Sequence, residues 1–177
     1  MDSQKNECVR EEIALLRGLR QVREFGPDPV PDAAIQDILE VARWTGSGMN
    51  RQPWEFVVVR NHDTLQAIAQ AEGQGSHLAG ANAAIVIVTA SQGGIETYDE
   101  GRLTERMLLA AAAHGVGAGI WWFKDGGAAA KRLLSIPDDR HVRTAISLGY
   151  PPAEAASRPK RTDARKPLSE LVHQERF

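Results

Sequence analysis

Three stretches of the 177-residue chain carry side chains whose type and spacing suit ligand chemistry. Arg17, Arg20 and Arg23 recur at every third position, which puts them on one face of a helix. Arginine presents a planar fork of donors that grips a phosphate or another oxyanion in bidentate fashion. Most basic helical faces are simply solvated, but this run ends where a helical segment gives way to the proline-rich connector Phe25 to Pro31, and backbone N–H groups are free at such a break. The second stretch, Ser47-Gly48-Met49-Asn50-Arg51-Gln52-Pro53-Trp54, is dense in hydroxyl, amide and guanidinium groups that can hydrogen-bond a polar heteroaromatic ligand. It serves equally well as a capping loop between a helix and a strand. The third, RPKRTDARK at 158–166, holds five basic residues in nine and is either a solvated charge run or a closure over a phosphate.

Other signatures fail. Gly115-Val116-Gly117-Ala118-Gly119 approaches a dinucleotide fingerprint, but Ile120 stands where the last glycine belongs, and the run precedes a strand instead of following one. There is no G-x-x-x-x-G-K-S/T loop, and Gly46-Ser47-Gly48 lacks the spacing of a nucleophile elbow. His62, His77, His114, His141 and His173 are scattered without metal-ligand spacing and read as surface or core residues. Any phosphate held here must therefore be held by basic residues from separate segments.

Elements positioning these groups follow from periodicity. An amphipathic helix is expected over Val9 to Leu19, and a second over Asp32 to Thr45, with Asp32 as N-cap and Ile35, Ile38, Leu39 and Ala42 on one face. Helices are also expected from Asp63 to Gln70, Arg102 to His114 and Ala128 to Leu134. Apolar, β-branched runs predict strands at Trp54–Arg60, Ala84–Ala90, Gly117–Phe123 and Val142–Leu148. Their irregular alternation fits α/β or α+β in one domain, with 151–177 as an arm whose Leu168, Leu171 and Val172 need something to pack on.

A net charge of −2 gives no basic field for nucleic acid, and one cysteine, Cys8, rules out an internal disulfide. The charged N-terminus has no apolar core of a secretory signal, and no apolar run is long enough to span a membrane, so a cytoplasmic location is expected.

Taken together and in order, RQVREF, PDPVPDAAIQDILEVARWT, SGMNRQPWEFVVVR, DEGRLTERMLLAAAAHGVGAGIWW, ISLGYP and ARKPLSELVH resemble the nitroreductase family of FMN enzymes. The combination of N-x-Q-P-W, G-x-G before the third strand, G-Y-P and a terminal K-P-L is specific, although each piece alone is weak. The resemblance implies an α+β fold with a mixed central β-sheet flanked by helices, built into a homodimer with exchanged C-terminal arms and two FMN molecules at the interface. By that likeness Arg20 and Gln21 contact the phosphate and ribitol, and Arg23 lies near flavin N1 and the C2 carbonyl. Ser47, Gly48 and Asn50 come from the other subunit. Arg165 and Lys166 reach the phosphate, backbone at Trp121, Trp122 and Phe123 lies near N5 and O4, and Gln74 is a candidate for the pyrimidine edge.

The chain departs from the pattern where Gln21 replaces a common serine, where Trp122 and Phe123 replace small residues, and where Glu105-Arg106 replaces a Gln-Asn pair. It is also short for the lid helices of larger members. The implied activity is NAD(P)H-dependent hydride transfer through flavin N5 to a small acceptor such as a nitroaromatic or quinone, with no catalytic side chain and no metal. The alternatives are a specialised flavoenzyme of the same fold and a flavin-sequestering or regulatory protein without turnover, to which bulky rings above the flavin would point.

Overall fold

The computed structural model describes residues 2–73, 76–91, 93–158 and 165–177. Helix α1 (Asp2–Gly18) begins well before the expected Val9, because Gln4, Lys5 and Glu7 are ordinary helix formers that extend the helix without apolar periodicity. Helix α2 (Asp32–Arg43) has Pro31, not Asp32, at its N-cap, with no side-chain capping bond. The Asp32 carboxylate is instead paired with the Arg60 guanidinium, and it sits in the first helical turn, where negative charge is favoured.

Strand β1 (Trp54–Val59) follows, then α3 (His62–Glu72), whose cap is Asn61 accepting from the Thr64 N–H at 2.8 Å. Strand β2 (Ala83–Thr89) is buried along its whole length. Helix α4 (Gly94–Ala113) starts eight residues before the expected Arg102. Its first half faces inward with Asp99 and Glu100, 3% and 4% exposed, so the apolar period that marks a helix is missing there. Strand β3 (Gly117–Trp122), α5 (Ala128–Leu133), β4 (His141–Gly149) and the short α6 (Ala153–Ala156) complete the described elements.

The strands form one sheet in the order β1-β2-β4-β3. The α+β class holds, but all three described pairings are antiparallel, where a mixed sheet was expected. Val59 at the end of β1 pairs with Ala84 at the start of β2, so α3 and the turn His77–Gly80 return the chain to the end it left. β2 and β3 do run the same way, but β4 lies between them. One sheet face packs on α2 and α4 through Ile38, Ile85, Ile87, Leu103, Met107 and Ile146. The other packs on α3 and α5 through Leu65, Ile68, Val86, Ala130 and Val142. Among the described residues no helix is long and apolar enough to cross a membrane.

Candidate functional site

β3 forms one edge of the sheet, and its even-numbered residues direct their N–H and C=O groups away from β4. The segment after α1 covers this edge. Val22 N donates to Ala118 O at 2.8 Å, and Gly26 N donates to Tyr150 O at 2.7 Å. The Ile120 N–H donates to Gln21 Oε1 at 3.2 Å. This approach is close enough to require glycine in β3. A Cβ on Gly119 would stand 2.5 Å from Val22 O, and one on Gly117 would stand 2.9 Å from Val22 Cβ and from Gly149 O of β4. The G-x-G is therefore a backbone docking device, which explains why it failed as a dinucleotide fingerprint.

Docking places the arginine run over two adjoining cavities that share Gly18, Leu19, Arg20, Gln21 and Leu108. One, about 940 Å³, is lined by Arg17, Arg20, Gln21, Glu105 and Arg165. The other, about 580 Å³, is lined by Arg20, Gln21, Arg23, Glu24, Gly117 and Arg158. The Arg20 guanidinium is steadied by donating to Arg17 O at 3.0 Å and Leu19 O at 2.7 Å, carbonyls at the C-terminal end of α1. Arg158 forks onto the Glu24 carboxylate at 2.5 and 3.0 Å, which ties the start of the C-terminal arm to the same segment and holds Glu24 below the usual carboxylate range. The basic tail, which from its composition suits either solvation or closure over a ligand, divides between the two. Arg165 faces the cavity, Arg158 is engaged with Glu24, and 159–164 lie outside the described residues.

His77 belongs to no sequence motif and reads there as a surface or core residue. It is half-buried against β3, with Nδ1 2.8 Å from Ser147 Oγ and Nε2 3.2 Å from Ile120 O. The carbonyl can only accept, so Nε2 carries a proton. Burial pushes the imidazole below its ordinary pKa of 6.5, against the Ile120 hydrogen bond, and the nearby Arg23 charge lowers it further. In the neutral ring Nδ1 is an acceptor facing the Ser147 hydroxyl, whose one proton is shared between Nδ1 at 2.8 Å and the Gly119 carbonyl at 3.1 Å. Trp121 meets the His77 ring edge-on at 5.4 Å.

Ser47, Gly48 and Asn50 are not brought to these cavities within one chain. Their loop is docked on the first half of α4, where the Gly48 N–H donates to Asp99 Oδ2 at 2.7 Å and Arg51 pairs with Glu96 at 3.4 Å. Ser47 Oγ accepts from Gln52 N at 2.8 Å. Met49, Asn50 and Gln52 all take positive φ (52°, 53° and 48°), a strained run that these anchors hold in place. Asp99 gave no sequence signal, since an isolated acid on a helix reads as solvated.

Trp121 and Trp122 follow Ile120 directly but do not line either cavity. Trp122 is 62% exposed and packs over the Arg143 guanidinium, 5.5 Å from the ring centre. Arg143 is the extra residue of a β-bulge, since Ile87 pairs with Thr144 and Val88 with Val142. It donates to Thr97 Oγ1 at 2.6 Å and to buried Glu100 at 3.3 Å. Phe123 is 2% exposed and sits in the core beside Ile136 and Val142. Its ring is therefore turned into the core and is not available at the surface, unlike that of Trp122. Lys166 is exposed beside Arg165, and Gln74 lies outside the described residues.

Comparison with known proteins agrees with this architecture. A family model described as the nitroreductase family matches residues 16–90, which include the arginine run, the Ser47–Trp54 loop and β1. A putative NADH dehydrogenase/NAD(P)H nitroreductase of Archaeoglobus fulgidus is 32% identical over 154 residues, 82% of this chain and 88% of that protein. A protein of the same description from Methanothermobacter thermautotrophicus is 30% identical over 153 residues, covering 82% and 80% of the two chains. Among solved structures, a putative nitroreductase in complex with FMN from Desulfovibrio desulfuricans superposes with a TM-score of 0.78 at 28% identity, over 93% of this chain and 96% of that one. An FMN-dependent nitroreductase from Clostridium difficile shares the fold with a TM-score of 0.80 at 24% identity, over 93% and 99%. Identity of 30% or more to two such relatives over four-fifths of both chains, with the segment docked on β3 inside the region that the family model matches, means that the chain belongs to the nitroreductase family.

Proposed function

We propose that the protein is a cytosolic, homodimeric, FMN-dependent oxidoreductase that passes hydride from NAD(P)H to a small acceptor such as a nitroaromatic or quinone. The observation that carries this reading is the convergence of Arg17, Arg20 and Arg165, from opposite ends of the chain, on one cavity of about 940 Å³. That volume suits a cofactor-sized ligand. The donor set fits a phosphate better than an uncharged flavin, because a dianion needs cationic partners and the cavity offers three guanidinium groups. FAD fits less well, since the chain has no dinucleotide-binding motif.

When bound, FMN supplies the hydride chemistry at N5, so no side chain has to be a nucleophile or general base. The work left to the chain is binding and electrostatics. Arg20 and Arg165, with Lys166 beside them, would hold the phosphate. Arg23 would place a cation at the pyrimidine edge and favour the ring with the extra negative charge. Backbone at Trp121 and Trp122 would face N5, and Ser47, Gly48 and Asn50 would come from the second copy.

Exposed apolar surface supports the dimer. On α1, Val9, Ile13 and Leu16 are about half exposed, and on the arm Leu168, Leu171, Val172 and Phe177 lie at the surface. Trp44, Met49, Ile95 and Tyr98 add a further exposed apolar group around the Ser47–Trp54 loop. Apolar groups on this scale mark interaction surfaces, and a second copy covering them would complete each site. The test is the visible spectrum and solution mass of the purified protein, with titration by FMN and by riboflavin. A dimer that retains FMN and discriminates against riboflavin is expected. A colourless monomer that takes up neither would overturn the proposal.

A further inference from the structure

We infer that Gln21 is a positioning residue: its carboxamide bridges the Arg23 guanidinium to the backbone of β3 and so fixes the direction in which Arg23 presents its charge to the flavin. The inference rests on the FMN reading above.

Gln21 Oε1 accepts two hydrogen bonds, from Ile120 N at 3.2 Å and from Arg23 Nη2 at 3.2 Å. Both lone pairs are thereby used. The first bond fills an edge position of β3 that no backbone group of the docked segment reaches. Val22 N takes Ala118 O, and the next rung of the ladder is supplied by the Gln21 side chain. The second bond is the one hydrogen bond Arg23 makes among the described residues. A long exposed arginine without such a tether samples many rotamers. Tethered, its charge stands at a set place relative to Ile120, one residue before the Trp121–Trp122 backbone that would face N5. Ile120 O, directed away from β4 like its N–H, is held by His77 Nε2, so the anchor of the bridge is itself fixed. Gln21 thus does not spend its carbonyl on the phosphate. Only its amide N–H groups remain for that cavity.

The test compares the midpoint potential of bound FMN in wild type, Gln21→Met, Arg23→Ala and the double variant, at a pH above the His77 range so that this ring stays neutral. Gln21→Met keeps the length and removes the acceptor. The expected result is about a tenfold loss of preference for reduced over oxidised FMN, roughly 30 mV for a two-electron couple. The double variant should shift no further than Arg23→Ala alone, because the two residues act through one group. A glutamine that merely holds the segment on β3 would weaken both redox forms equally and leave the potential in place. An unchanged potential in Q21M, or a shift that adds to that of R23A, overturns the inference. Gln21→Ser, too short to reach both partners, serves the same comparison if Q21M does not fold.

A second readout needs no flavin. In the apo protein the Arg23 side chain and the Ile120 amide should be ordered by NMR in wild type and in Gln21→Glu, which keeps the acceptor, and released in Q21M. An Arg23 equally ordered in Q21M overturns the bridge whatever the flavin does. Failure of wild type to take up FMN overturns the proposed function and the ligand half of this inference with it.

Discussion

Arg20 and Arg165 meet at one cavity although nearly the whole chain separates them, and the energetics of that meeting are simple. A charge-assisted hydrogen bond contributes about 1.5–3 kcal/mol. Arg20→Ala and Arg165→Ala should each weaken FMN by roughly ten- to a hundredfold, on that scale, while leaving riboflavin affinity nearly unchanged. Equilibrium titration with both ligands checks it. His77 makes a pH prediction. Its folded pKa lies below the ordinary 6.5, so the unfolded chain takes a proton that the folded ring resists. Stability from this group is complete above pH of about 6.5 and falls as pH drops through that value, until the folded ring protonates too. Denaturant midpoints across this range should fall more steeply for wild type than for His77→Gln, which keeps hydrogen-bonding capacity without the charge. At this scale the arginines were legible from residue type, which suits an oxyanion grip, but not from their spacing, since α1 ends at Gly18 and Arg20 and Arg23 lie in the non-helical segment after it instead of on a shared helical face. His77 and Asp99 were not, since their roles exist only once β3 and α4 stand beside them.

Docking of residues 20–26 on β3 is the element-scale feature on which the site depends. Gly119→Ala would put a methyl against the Val22 carbonyl, the Ser147 hydroxyl and the His77 ring at 2.5, 3.1 and 3.2 Å. The segment must then lift, at a cost of about 1–3 kcal/mol for overpacking. Thermal unfolding should show a lower midpoint, and FMN affinity should fall with it because Arg20 and Arg23 travel with the segment. Strands were legible from their β-branched runs, and α2 from a clean apolar stripe. The first half of α4 was not, because it turns buried Asp99 and Glu100 inward. Burial pushes the Glu100 carboxyl above its usual value, with Thr144 and the Arg143 charge opposing, so an acid that looks solvated in sequence is a core residue in the fold. Gly117 and Gly119 were visible as a motif, but its meaning needed Val22 and the neighbouring backbone.

For the whole molecule, the question is what covers the exposed apolar residues of α1 and the arm. Leu171 and Val172 are 57% and 50% exposed in the single chain. Leu171→Asp with Val172→Asp should therefore cost little in an isolated chain, yet should dissociate a dimer that exchanges its arms. Sedimentation at a series of concentrations, with flavin content measured in parallel, distinguishes the two. A fully dimeric, flavin-loaded double variant would remove the arm from the interface. Here sequence physics stopped at an arm that must pack on something. Family resemblance supplied the second copy, because an interface between chains leaves no periodicity of its own beyond apolar residues where a solvated tail would be polar.

Hydride transfer from a nicotinamide through the flavin is decided by anaerobic mixing of the FMN-loaded dimer with NADH and with NADPH. Rapid loss of the visible flavin absorbance is expected with at least one of the two nucleotides, and its return when a quinone or nitroaromatic acceptor is added. Flavin that stays oxidised with both nucleotides would contradict it and leave a protein that binds FMN without turning it over.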